Sequence, residues 1–290
     1  MKPFDYFAPR SLAEATEILA RYNGGARAVA GGTDLLLKMK AGALRAAPRA
    51  IVNIKRIPEL RGLTRSVAGR QSPVVSIGAL TTLEEIKRSS LIHAHYPALA
   101  AAAATMASVQ IRNLATVGGN MCNAAPSADL APLLVALNAV ARIAGPRGER
   151  RVLLEDFFTG PGTTVLGPGE LLVGLEVPPP SGPSLYLKHS PREHMDIAVV
   201  GVGLSVQLRE GRCESARVVL GAVAPVPLRA RRAEAELVGG PLTSERIDRA
   251  AKTAAQESKP IDDVRGSAWY RRRMVEVLTR RGLTQLITDD

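Results

Sequence analysis

The chain has 290 residues, of which 46% are hydrophobic and 22% charged, with a formal net charge of +11. This composition supports a sizeable core and excludes a disordered or fibrous chain; with 3% aromatic residues and arginines scattered along its length, the basic balance lacks the stacking platform of a nucleic-acid binder and fits a solvated surface facing an acidic partner. Two distant cysteines, Cys122 and Cys213, argue against a zinc site or an iron–sulfur cluster held by this chain alone.

Ser11-Leu12-Ala13-Glu14 reads as a capping box opening a helix to about residue 21, with Leu12, Ala15, Ile18 and Leu19 on one face. Residues 27–30 read as a short strand delivering the chain into Ala30-Gly31-Gly32-Thr33-Asp34, and residues 35–40 as a helical turn leaving it. Adjacent glycines let backbone N–H groups turn toward one point, because no Cβ blocks the approach, and successive inward N–H groups make an anion nest. A strand end meeting a helix start favours a phosphate there. Strands follow at 50–54 and 74–77, then Thr81-Thr82-Leu83-Glu84-Glu85 with two overlapping capping boxes, then an alanine-rich helix at 97–106. Residues 111–116 lead into a second double-glycine segment, Thr116-Val117-Gly118-Gly119-Asn120. Two nests in one domain suit a ligand with two phosphates, and a dinucleotide cofactor is the natural candidate. The Gly-x-Gly-x-x-Gly fingerprint after a strand and the P-loop are both missing.

Pro126-Ser127-Ala128-Asp129 opens an apolar helix over 130–137, with Asp129 placed to cap it. The apolar run 130–144 is too short for a membrane span and holds Asn138 and Arg142. The N-terminus lacks the apolar core of a signal peptide, so the chain reads as soluble and cytoplasmic. Strands at 152–154 and 171–177 precede the proline-rich boundary at 178–183. Beyond it, strands at 197–208 and 217–222 flank the turn Glu210-Gly211-Arg212, and helices follow near 229–237, 244–256 and 268–280. The expected second domain is therefore α+β, an antiparallel sheet with a helical layer. Gly201 and Gly203 lie inside an apolar strand and should serve close packing. Trp269 and Tyr270 should anchor the last helix in the core.

In this order the landmarks resemble the FAD-binding (medium) subunit of the xanthine dehydrogenase / carbon monoxide dehydrogenase family. The resemblance rests on Ala30-Gly31-Gly32-Thr33-Asp34-Leu35 and on Gln110-Ile111-Arg112-Asn113 with Thr116-Val117-Gly118-Gly119-Asn120. It continues through Ser127-Ala128-Asp129-Leu130-Ala131-Pro132, Gly169-Glu170-Leu171-Leu172, Lys188 with Met195-Asp196-Ile197-Ala198, and Arg265-Gly266-Ser267-Ala268 with Tyr270-Arg271, covering essentially the whole chain. It implies an α+β fold: a vanillyl-alcohol-oxidase (PCMH)-type FAD-binding domain at 1–178, split into subdomains at about 1–57 and 58–178, and a carbon monoxide dehydrogenase flavoprotein-like C-terminal domain at 184–286.

The resemblance further implies an assembly. A large partner subunit carries a molybdenum cofactor, and a small one carries 2Fe–2S clusters, in a dimer of heterotrimers. The medium subunit passes electrons from the clusters through FAD to an external acceptor, so the chain itself holds no catalytic side chain and no metal. Relatives acting on aromatic acyl-CoA thioesters add a four-cysteine cluster in this subunit, which two cysteines cannot build. By the same resemblance the FAD contacts are Ala28, Val29, Ala30, Gly31, Gly32, Thr33, Asp34 and Leu35 at the first segment. At the second they are Ala115, Thr116, Val117, Gly118, Gly119 and Asn120. Asp129 would meet ribityl or ribose hydroxyls, Leu172 would make an apolar contact, and Lys188 would stand near the isoalloxazine, its charge favouring the reduced flavin. Competing readings remain: ordinary turns for the glycines, a helix cap for Asp129, core for Leu172, a solvated edge lysine for Lys188. None of His93, His95, His189 and His194 adjoins a glycine segment, so FAD is expected to be non-covalent and the histidines to lie at the surface. A self-contained FAD oxidase of a small alcohol or aldehyde is the alternative function.

Overall fold

A computed structural model describes residues 2–66, 73–192 and 195–288. His194 lies outside the described residues.

The chain begins as alternating strand and helix: β1 (Asp5–Phe7), α1 (Leu12–Arg21), β2 (Ala26–Val29), α2 (Leu35–Lys40) and β3 (Ala50–Asn53). Both β1 and β2 pair parallel to the central β3, with Asp5 and Ala26 each opposite Ala50. Parallel neighbours require a crossover, which α1 and α2 supply. The Ser11 side chain accepts the Glu14 N–H as expected, but the Glu14 carboxylate takes the N–H of Arg10 rather than that of Ser11, so the capping box is half closed.

An antiparallel sheet follows, in the order β4 (Leu63–Ser66), β5 (Val74–Gly78), β10 (Leu171–Val177), β6 (Val140–Gly145), β7 (Gly148–Leu153), with the small hairpin β8 (Phe158–Gly160) and β9 (Thr163–Thr164) beside it. Between β5 and β6 run α3 (Leu83–Arg88), α4 (Ser90–His95), α5 (Pro97–Ala104), α6 (Val109–Arg112), α7 (Val117–Asn123) and α8 (Leu130–Ala136). Central β10 is apolar on both faces because it serves two cores. Leu171 and Val173 pack with α1 and the parallel sheet, whereas Leu172, Leu175 and Val177 pack with the helices. A bulge between Leu172 and Gly174 shifts the alternation by one residue and makes this division possible. Of the two capping boxes at the start of α3, only Thr82–Glu85 forms; Thr81 donates instead to the Gly62 carbonyl.

The C-terminal sheet has the antiparallel order β11 (Ser184–His189), β12 (Val200–Arg209), β13 (Arg212–Gly221), β14 (Leu228–Arg229). Its helices are α9 (Arg231–Leu237), α10 (Ser244–Glu257) and α11 (Ala268–Thr288). Period-two alternation decides its faces. Val200, Val202, Leu204 and Val206 of β12 turn toward the helical layer, while Gly201 and Gly203 turn the other way, toward α8. A Cβ on Gly203 would stand 2.6 Å from the Pro132 carbonyl carbon, and one on Gly221 2.7 Å from the Pro132 ring. These glycines are packing glycines, as the sequence indicates. Trp269 and Tyr270 both depart from expectation: they are 73% and 36% exposed, neither ring lies in the core, and Tyr270 Oη instead shares a hydrogen bond with His189 across 2.9 Å. An aromatic pair on the first turn of α11 cannot put both rings on one face, since neighbouring helical positions diverge.

Candidate functional site

The first glycine segment joins β2 to α2. Ala28 and Val29 end the strand, and Ala30, Gly31, Gly32 and Thr33 are half-buried, with Asp34 exposed ahead of Leu35. Gly32 has φ +76°, which an L side chain rarely adopts. Gly31 answers a different demand: a Cβ there would overlap the carbonyl oxygen of Leu114. Among the described residues, none of the N–H groups of Gly31, Gly32, Thr33 and Asp34 is engaged by another group of the chain. Four successive unengaged donors on a backbone turned at Gly32 leave this segment free to serve as the anion nest expected from the sequence.

The second segment differs from expectation. Thr116 is the N-cap of α7, so Val117, Gly118, Gly119 and Asn120 lie in a helix rather than a loop, and their N–H groups are already satisfied. Val117 donates to Thr81 O and Gly118 to Ala79 O, both at 2.9 Å; Gly119 donates to Thr116 Oγ1 at 3.0 Å and Asn120 to Thr116 O at 2.9 Å. It is not a second anion nest. Gly118 is needed because a Cβ would come within 2.6 Å of the Ala79 methyl. Gly119 is exposed, and its missing Cβ would meet only Thr116 Oγ1. The free polar capacity of this segment sits in a side chain: Asn120 Oδ1 is buried and has no hydrogen-bond partner. A buried acceptor left unpaired costs about 1–3 kcal/mol unless something outside the chain satisfies it.

The two segments abut. Leu114 O and Ala115 Cα back directly onto Gly31, Ala115 O accepts from Leu83, and Lys38 of α2 donates to Asn123 Oδ1 of α7. The stretch leading in is held by buried Arg112, which donates to Glu84 Oε2 at 2.9 Å and to the carbonyls of Met106 and Ala107 at 2.8 and 3.1 Å. Arg112 and Arg88 beside Glu84 hold its carboxyl below the usual glutamate range.

Asp129 precedes α8 but makes no cap hydrogen bond. Its carboxylate instead accepts from Tyr186 Oη at 2.8 Å and from Lys188 Nζ at 3.1 Å, and Lys188 also donates to Asp196 O at 2.8 Å. Lys188 is therefore not the solvated edge lysine of the competing reading: its side chain is 9% exposed and that of Asp129 10%. Burial pushes the Asp129 carboxyl up despite the opposing pull of Lys188 and Tyr186. Leu172 is 3% exposed inside the core between sheet and helices, and its side chain is not gathered with the polar groups. Tyr186 escapes the sequence reading, although period two on a strand through Lys188 would have placed both on one face. His93 and His189 are engaged with Lys87 O and Tyr270. Among the described residues no cluster of His, Cys, Asp or Glu side chains is gathered to hold a metal.

Free amides at Gly31–Asp34, an orphaned amide oxygen at Asn120 and a buried Asp129–Lys188 ion pair are groups that a polar cofactor could engage, and comparison with known proteins gives the class. The FAD binding domain of molybdopterin dehydrogenases matches residues 2–180, and the CO dehydrogenase flavoprotein C-terminal domain matches residues 185–286. The xanthine dehydrogenase FAD-binding subunit of Escherichia coli O157:H7 is 34% identical over 97% of this chain and 95% of that one. The carbon monoxide dehydrogenase medium chain of Afipia carboxidovorans is 33% identical over 97% and 95%. The structure of reconstituted CO dehydrogenase from Oligotropha carboxidovorans superposes with a TM-score of 0.92 at 32% identity, covering 98% of each chain. The chain belongs to the family of FAD-binding medium subunits of heteromeric molybdenum hydroxylases of the xanthine and carbon monoxide dehydrogenase type. Such relatives are dehydrogenase subunits, which supports the electron-transfer reading over the self-contained oxidase. No helix among the described residues is long and apolar enough to cross a membrane.

Proposed function

We propose that the chain binds FAD non-covalently between the Gly31–Asp34 nest and the Asp129–Lys188 pair. There it relays electrons from the 2Fe–2S clusters of a small partner subunit to an external acceptor, while a large partner subunit holds the molybdenum cofactor. One observation carries this reading: four unengaged backbone donors lie against the segment that ends in the unpartnered Asn120 oxygen. The donor set suits the group. Amides at Gly31, Gly32, Thr33 and Asp34 would take phosphate oxygens, Asn120 Oδ1 would accept from a sugar hydroxyl or adenine amine, and Asp129 would accept from ribityl or ribose hydroxyls. Ala28, Val29, Ala30, Leu35, Ala115, Thr116, Val117, Gly118 and Gly119 would shape the walls, with Leu172 behind them. FAD, when bound, supplies a centre that accepts electrons singly and releases them in pairs. Arg112 and Glu84 hold the stretch leading into the second segment, and Lys188 with Asp129 would set an oriented ion-pair dipole in a nearly dry setting beside the flavin.

The same reading divides the chain at 1–57, 58–178 and 184–286, following the three main sheets, and places the protein in the cytoplasm as part of a dimer of heterotrimers. Purification through this chain after co-expression with its two partner subunits tests it. Stoichiometric FAD with iron–sulfur absorption and two further subunits is the expected result. A chain that takes up no FAD even on incubation refutes the assignment.

A further inference from the structure

We propose that Tyr186 is a positioning residue of the FAD site, holding the Asp129 carboxylate so that the Asp129–Lys188 pair cannot close on itself. The inference rests on the FAD reading above. Ser184, Tyr186 and Lys188 alternate with Leu185 and Leu187 along β11, and the leucines face the helical layer. Tyr186 and Lys188 therefore share the other face and meet the start of α8, where Asp129 stands.

The hydrogen-bond inventory shows what the phenol does. A carboxylate offers about four acceptor positions and an ammonium three donors. Tyr186 engages one oxygen of Asp129 and Lys188 the other, while a second ammonium donor goes to Asp196 O. One donor on Lys188 and the remaining carboxylate lone pairs stay available in a setting about nine-tenths buried. Without the phenol, the carboxylate is free to turn both oxygens onto Lys188, which in low dielectric is its best remaining partner. The capacity available to a cofactor would then be consumed within the chain. Gly201 makes room for the arrangement, since a Cβ there would lie 2.5 Å from Tyr186 Oη.

Two variants of the full-length chain test the proposal in different ways. Tyr186→Phe removes the donor and keeps the ring; Gly201→Ala keeps the phenol but displaces it. FAD is titrated by flavin fluorescence quenching at a temperature where far-ultraviolet circular dichroism shows every variant folded. Both variants are expected to bind FAD about tenfold more weakly, with an altered visible circular dichroism of the bound flavin. If Tyr186→Phe lowers only Tm, leaving the FAD Kd and the flavin spectrum as in the wild type, the tyrosine merely packs and the proposal is overturned. A wild-type chain that fails to bind FAD overturns the underlying FAD reading instead, so the two failures are distinguished by the wild-type titration.

Discussion

Residues 30–34 and 116–120 look alike as sequence, each an adjacent pair of glycines beside a threonine, yet the fold uses them in opposite ways. In the first, the backbone turns through a positive φ and leaves its donors free. In the second, a threonine cap starts a helix at once, and the N–H groups from Val117 to Asn120 each find an acceptor in the chain. The glycines at 31 and 118 nonetheless share one function, which is to let two pieces of backbone touch. A double glycine in a sequence therefore reports close approach; whether its amides bind a ligand depends on whether the next residues offer them carbonyls.

That contrast can be broken by substitution. Gly31→Ala should have the largest effect, because its methyl must displace Leu114 and separate the two segments. A loss of about 1–3 kcal/mol in urea unfolding is expected, together with loss of measurable FAD binding. Gly118→Ala meets the Ala79 methyl and carbonyl at 2.6 and 2.7 Å and should cost a similar 1–2 kcal/mol or so. Since its amide is already bonded to Ala79 O, the surviving folded protein should lose less FAD affinity than the Gly31 variant, the loss coming from the shifted wall alone, as read by fluorescence titration. Equal losses of affinity in the two variants would erase the distinction between nest and helix.

Asn120→Ala sharpens the comparison from the other side. It deletes an acceptor that the chain leaves unsatisfied, so the Tm of the cofactor-free protein should stay level or rise while FAD binding weakens about tenfold. A fall in cofactor-free Tm without a change in affinity would make the side chain structural. The smallest expected effect is on acid stability. Glu84 has a folded pKa below its unfolded one, so its contribution is fully present above the ordinary glutamate value of about 4.3 and is lost as pH falls through the lowered value. Thermal melts from neutral pH to pH 3 should show Glu84→Gln flatter than the wild type in that acid window.

Local chemistry made much of the fold legible. The span 35–40 of α2, the Thr82–Glu85 box, the strand 171–177 and the reversal at Glu210-Gly211 are all written in caps, periodicity and turn residues. Elements whose identity depends on distant partners were not. Strand β6 continues directly from the apolar helix α8 with no polar break beyond Asn138, which turns at φ +62°. Strand β1 is short and largely exposed, and is a strand because β3 lies beside it. The site divides similarly. Gly31 and Gly32 were visible as a motif, but the engagement of Gly118 by Ala79, the pairing of Asp129 with Lys188 and the presence of Tyr186 depend on contacts between residues 39 to 59 positions apart.

The bare face that β12 and β13 present to Pro132 limits how this chain can be recombined. With Gly203 and Gly221 in place, the C-terminal half fits only a helix whose proline projects as far as this one does. A crossover in the proline-rich stretch 178–183 would look harmless as a linker, yet it would pair one parent's ridge with the other's groove. Functional hybrids are expected only between parents that carry both small residues and the proline together, so these three positions should travel through a recombination library as one linked block.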